Sequence, residues 1–279
     1  MTRIAILSDS ASNVRENREV GIFIVPLYVN FQDGSKKDLE EISPQELYDR
    51  IETEEPKTSA PGVEDFLTKI QQIQEAGYGK ILAIAVSQSL SGTYNSMRLA
   101  LDSQDMDYRL IDSKTITMGQ GLLLTYGHQL IQEGLILDEI AEKLEEKKRN
   151  VKIFAGVGDL KYLVRGGRLS RVKGLIGGSL RLNPILTLAE DGSIENYKSV
   201  MGKKRTLNFI VDKVRMDLAG GEPYYLALAY AGDRDKLGEV KDKLGDLVDG
   251  ADQYLEGPVT AVLGTHSGPD AYVVAYLRL

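Results

Sequence analysis

Residues 80–97 read KILAIAVSQSLSGTYNSM, and the chemistry changes abruptly at Val86. Lys80 to Val86 is an apolar run without polar alternation, the pattern of a strand covered on both faces. Immediately afterwards come Ser87, Ser89, Ser91, Gly92 and Thr93, a loop of hydroxyls and glycine that opens a helix from about Ser91. A buried strand feeding a polar loop and then a helix is one half of a βαβ unit. The same grammar recurs at RIAILSDS (3–10) and at DYRLID (107–112), which leads into a helix from about Gly119. Repeated strand–helix alternation predicts an α/β lobe with a mostly parallel, Rossmann-like sheet and helices on both faces.

Working outward, NVRENREV (13–20) has helical character and IFIVPLYVNF (22–31) is β-rich around Pro26. DGSKKDLE (33–40) reads as a charged turn, and SPQELYDRI (43–51) as a helix with Ser43 as cap and Pro44 in its first turn. EEPKTSAPGVEDF (54–66) is a polar loop entering another helix, which should end at Gly77. The acidic-then-basic DEIAEKLEEKKRN (138–150) closes this first lobe, spanning 1–150. Beyond it NPILTLAEDGSIENYKSV (183–200) is two β runs about a turn. A helix over about 203–219, PYYLALAYA (223–231), a further helix, ADQYLEG (251–257), a strand in PVTAVLGTHSG (258–268) and AYVVAYLRL (271–279) follow. A second α+β lobe with a mixed sheet is expected over 151–279.

Composition removes several function classes. The 279 residues include no cysteine and two histidines far apart, which argues against disulfides, thiol chemistry and zinc, and no calcium-loop pattern occurs. A net charge of −7 disfavours phosphate backbones, so no nucleic-acid partner is expected. GVGDLK and GQGLLL lack the third glycine of a dinucleotide fingerprint, and no P-loop is present. No apolar run reaches the ~18 residues of a membrane span, and polar residues come too early for a secretory signal; a cytoplasmic protein without cofactor is expected.

What remains is a polar rim. LSDSAS (7–12), KTSAPG (57–62), the loop after strand 80–86, IDSKTITMGQG (111–121) and GTHSGPD (264–270) all carry short donors at expected element ends, where open α/β sheets bind ligands. Hydroxyls and helix N-termini suit an anionic head group. Ser91 and Asp9 serve equally as helix caps or turn residues, Gly92 and Gly268 as turn formers, and His128 in LTYGHQLI as a structural residue. Lys161, Arg165, Arg168, Arg171 and Lys173 surround a Gly-Gly break, either a solvated helix face or a dock for an acidic partner. Ser91, His266 and Asp9 compose a hydrolase triad on paper, but the G-x-S-x-G elbow is missing.

Taken in order, SDSASN, TSAPGVEDF (58–66), SQSLSGTYNS (87–96), IDSKTITMGQG, GDLKYLVRGGRLS (158–170), NPIL (183–186) and HSGPDA (266–271) resemble the DegV family of fatty-acid-binding proteins over nearly the whole chain. The resemblance implies a two-lobed fold with a long-chain fatty acid buried between the lobes. Its carboxylate would be held by Thr58, Ser91 and His266, with Ser59, Gly92, Thr93 and Ser267 beside them. It also implies a carrier rather than an enzyme. A separate ATP-dependent fatty acid kinase would phosphorylate the bound carboxylate for phospholipid synthesis, docking at Arg165 and Arg168. Two positions depart from the family: Met201 stands where arginine is usual in the docking face, and Asp270 where a small glycine is usual. LLLTYG (122–127) and VKGLIGGSL (172–180) are the expected tunnel lining. Burial of about fourteen methylenes would supply on the order of 11 kcal/mol gross. The alternatives are a serine hydrolase built on Ser91 and His266, and a lipid-sensing regulator docking through the two arginines.

Overall fold

The structure is a computed structural model, and it describes residues 2–168 and 182–279. The N-terminal part runs β1 (Ile4–Asp9), β2 (Ile22–Val25), β3 (Tyr28–Phe31), β4 (Gly34–Lys37), α1 (Pro44–Glu54), β5 (Lys57–Ser59), α2 (Val63–Glu75), β6 (Lys80–Ala85), α3 (Thr93–Asp102), β7 (Asp107–Asp112), α4 (Met118–Gln132) and α5 (Leu137–Lys147). The rest comprises β8 (Val151–Gly156), α6 (Lys161–Arg165), β9 (Leu182–Leu188), β10 (Ile194–Met201), α7 (Lys203–Leu218), β11 (Tyr224–Tyr230), α8 (Asp235–Asp249), β12 (Gln253–Pro258), α9 (Ala261–Ser267) and β13 (Tyr272–Arg278).

The apolar runs that announce buried strands form two sheets. Strands β2-β1-β6-β7 make a four-stranded sheet, every pairing parallel, and β10-β9-β8-β13-β11-β12 make a six-stranded mixed one. This is the expected mixed α/β architecture. Phe66, Ile70 and Ile73 of α2 and Met97 and Leu101 of α3 cover one face of the parallel sheet. Leu207, Ile210 and Val214 of α7 and Leu237, Val240 and Leu244 of α8 cover the outer face of the mixed sheet. Between the sheets lies α4, whose residues 118–124 are all buried. A helix apolar on every side belongs in such a position, and α4 packs on β1 and β6 of one sheet and on β8, β11 and β13 of the other. Ser43 caps α1 by accepting from Glu46 N at 3.1 Å, with Pro44 following, as the sequence predicts.

Four segments differ from their local pattern. NVRENREV forms only a short 3-10 turn at Arg18–Val20, because it lacks an apolar stripe and Asn17 pairs its backbone with Ile22 instead. DGSKKDLE supplies β4, which returns along β3 as a hairpin. Within the expected polar loop, Lys57–Ser59 adds β5 to the other edge of β3, with Thr58 opposite Val29. Finally, the strand expected in PVTAVLGTHSG is the helix α9. A short apolar run is ambiguous between the two, and a distant group decides it. The buried Asp38 carboxylate accepts from Ala261 N at 3.0 Å and Val262 N at 3.4 Å, capping the helix.

Candidate functional site

Most hydroxyls after β6 hold the scaffold together. Ser87 and Ser89 donate to the Gly192 and Asp191 carbonyls at 2.9 and 2.6 Å, tying the tip of the β9–β10 hairpin to the parallel sheet. Asp9 accepts from Val86 N at 2.8 Å, Ala11 N at 3.0 Å and Gln120 Nε2 at 3.1 Å, so it fastens β1, β6 and α4 together. Burial raises its pKa to about 6 against the pull of these donors, and the same balance holds for Asp38. Ser91 is different. Its Oγ lies 2.8 Å from Thr93 Oγ1, and its side chain borders a cavity.

The cavity lies where the loops at the carboxyl ends of β1 and β6 face the mixed sheet. It holds about 150 Å3 reachable by the centre of a water molecule, roughly tenfold what one water requires. Of its 26 described lining residues 18 are aliphatic, and among the polar ones Thr58, Ser59, Arg168, His266 and Ser267 gather at a polar end. That end is built from three elements. Thr58 comes from β5; His266 and Ser267 come from the last turn of α9; Arg168 follows α6. Thr58 Oγ1 is 2.8 Å from His266 Nε2. The other ring nitrogen, Nδ1, is buried without a hydrogen-bond partner among the described residues. Burial, aided by the Arg168 charge, pushes the imidazole down to about 3, so it is neutral at physiological pH. A Cβ on Gly166 would fall 2.0 Å from Nδ1, so only glycine lets the chain leaving α6 pass over the ring.

Thr58, Ser59, Ser91, His266 and Ser267 all line this cavity, and Thr58 and His266 meet in a hydrogen bond. Thr93 stands behind Ser91 as its buried partner, and Gly92 is exposed at the start of α3; neither lines the cavity. The two arginines part company. Arg165 is paired with Glu55 at 3.0 Å on the outside, whereas Arg168 is the single charged residue among the described lining. Arg168 also donates to the Gly166 carbonyl at 2.8 Å. Met201 is exposed, and Asp270 sits outside the cavity, 3.5 Å from Lys203, so it does not oppose an anion there. Arg171, Lys173 and the segment 172–180 lie outside the described residues.

Two expectations are corrected. Leu122, Leu123 and Leu124 are core residues of α4 and do not line the cavity; the described aliphatic lining includes residues of β8, β9, β13 and α9 and of loops such as those after β1 and β6. The paper triad is not hydrogen-bonded as one, since His266 pairs with Thr58, Ser91 with Thr93, and Asp9 with the groups named above. Sequence reasoning also passed over Asp38, whose role depends on a contact 223 positions away. No local signal marks it.

A family model described as an uncharacterised protein, DegV family, matches residues 3–279. The chain belongs to the DegV family. A DegV domain-containing protein of Clostridium acetobutylicum is 31% identical over 275 residues, covering 96% of each chain. Among solved structures, a fatty-acid-binding DegV family protein from Thermus thermophilus is similar with a TM-score of 0.92 and 28% identity, covering 99% of this chain and 100% of that one. A stearic-acid-binding protein from Eubacterium ventriosum is similar with a TM-score of 0.87 and 25% identity, over 99% and 98%. Among the described residues no helix of this DegV chain is long and apolar enough to cross a membrane, and no cluster of potential metal ligands occurs.

Proposed function

We propose that this DegV protein binds a long-chain fatty acid in the cavity between its 1–150 and 151–279 lobes and carries it without transforming it. The single observation behind this reading is the make-up of the cavity: a hydrogen-bonded Thr58–His266 pair, with Arg168 and Ser91, in a lining that is otherwise mainly aliphatic. A buried carboxylate needs donors or it protonates. Ser91 and Thr58 supply hydroxyl protons. Thr58 can donate to a carboxylate only if His266 donates to it, which assigns the imidazole proton to Nε2. With His266 neutral, Arg168 is the charge partner, and the tail contributes affinity by leaving water. Ser59 and Ser267 edge the same end.

In this reading the head group is handed to a separate fatty acid kinase, which approaches over the face carrying Arg165, Met201 and Lys203, and catalysis resides there. The test is extraction of the purified protein followed by lipid mass spectrometry and titration with palmitate. The expected result is one acyl chain per protein, or uptake to that ratio; protein that neither carries nor takes up a fatty acid contradicts it.

A further inference from the structure

The mixed sheet floors the cavity with side chains in rows. Continuing the β8–β13 register past Tyr272 and Gly156 sets Val157 opposite Ala271 at the polar end; Ala155 is paired with both Val273 and Leu186. Continuing that register sets Leu188 opposite Ile153, and Leu188 is paired in turn with Ile194. All eight residues line the cavity. Successive rows are two residues apart, so Val157 and Ile153 are separated by about 13 Å of strand. Thr187 Oγ1 donates to the Ile153 carbonyl at 2.7 Å and braces the last row.

Behind that row lies a second space. A groove of about 940 Å3 has a charged rim that includes Lys114, Lys152, Glu190 and Asp191, all exposed. Ile153, Thr187 and Leu188 border both the cavity and this groove, so they are the partition between an apolar chamber and water. Building on the fatty-acid reading, we infer that the row Ile153–Leu188–Ile194 is the stop that sets the longest acyl chain the protein accepts. The head group is fixed at the other end, so every methylene beyond the row either bends the chain or displaces these side chains. Each methylene left unburied forfeits about fourfold in affinity. Truncating Leu188 opens a passage to the groove, where a longer tail can protrude without collision, and truncating Ile194, which lines the cavity beside Leu188, makes room in the same row.

The experiment measures dissociation constants of palmitate, stearate and behenate for the wild-type protein and for Leu188→Ala, Ile194→Ala and Leu163→Ala. Leu163 lines the cavity where α6 covers the polar end, so its truncation enlarges the chamber without breaching the partition. Wild type should bind behenate at least roughly tenfold more weakly than stearate. Leu188→Ala and Ile194→Ala should bring the two ligands within about threefold, while Leu163→Ala keeps the wild-type ratio. Leu188 and Ile194 are only partly buried, and either variant alone serves if the other does not fold. Equal binding of behenate and stearate by wild type, an unchanged ratio in folded Leu188→Ala or Ile194→Ala, or the same shift in Leu163→Ala overturns the stop while leaving fatty-acid binding intact. Failure of wild type to bind any of the three overturns the fatty-acid reading and the stop with it.

Discussion

The two sheets meet at one cavity and contribute to it in opposite ways. The parallel sheet reaches it through the loop after β6 and the small β3–β4–β5 sheet through its short edge strand β5, delivering Ser91 and Thr58 as single hydrogen-bonding atoms on short side chains. The mixed sheet reaches it through the flat of its strands, delivering Ile153, Ala155, Leu186, Leu188 and Val273 as a surface. Loop ends position points of charge and polarity, whereas a pleated face presents area at a fixed spacing. Orientation of a ligand thus belongs to the first region and the size of its apolar part to the second.

Ala155 offers the largest way to break this division. It is the smallest side chain of the middle row and is only partly buried, so its Cβ borders open space. Ala155→Leu should cut palmitate affinity by about a hundredfold by excluding the distal methylenes, while laurate loses much less. Titration of both ligands checks it, and equal losses would show that the floor does not govern tail length. Next come the polar residues. Thr58→Ala leaves His266 without its hydroxyl partner and should weaken palmitate and laurate equally, by roughly ten- to a hundredfold. Arg168→Gln should do so by a similar factor, with Arg168→Lys recovering part of the loss, since a charged partner is worth about 1.5–3 kcal/mol.

The loop region was more legible in the sequence than the sheet face. Thr58, Ser91 and His266 stood in short motifs of small polar residues at element ends, and the resemblance grouped them before any geometry was known. The floor gave no such sign. In β8, Ile153 and Ala155 face the cavity while Phe154 faces α7, so both sides are apolar and alternation disappears. The sequence of α9 reads as a strand because its cap, Asp38, lies just after β4, far away in the chain. Arg168 could be found as a basic residue beside glycines, but the inward course that separates it from Arg165 depends on how the chain leaves α6.

A smaller effect sharpens the polar side. The folded pKa of His266 is about 3, below its ordinary 6.5, so between these values the unfolded chain binds the extra proton. The contribution of His266 to stability is therefore complete above pH 6.5 and is lost as the pH falls toward 3. Urea unfolding of wild type and His266→Asn should show a difference that moves against wild type on acidification below pH 6.5, by at most about 1.4 kcal/mol per pH unit. A difference independent of pH would mean that the ring is not held neutral. Smallest of all, Arg165→Glu should leave palmitate affinity within about twofold, because its exposed pair with Glu55 contributes little.

The most direct measurement is a crystal structure of the protein with stearate. The account predicts continuous density from a carboxylate within hydrogen-bonding distance of Thr58 Oγ1 and Ser91 Oγ, across Ala155, to a methyl end against Ile153 and Leu188. Density running the other way, with the carboxylate at Ile153, or a fatty acid bound outside this cavity, would contradict it.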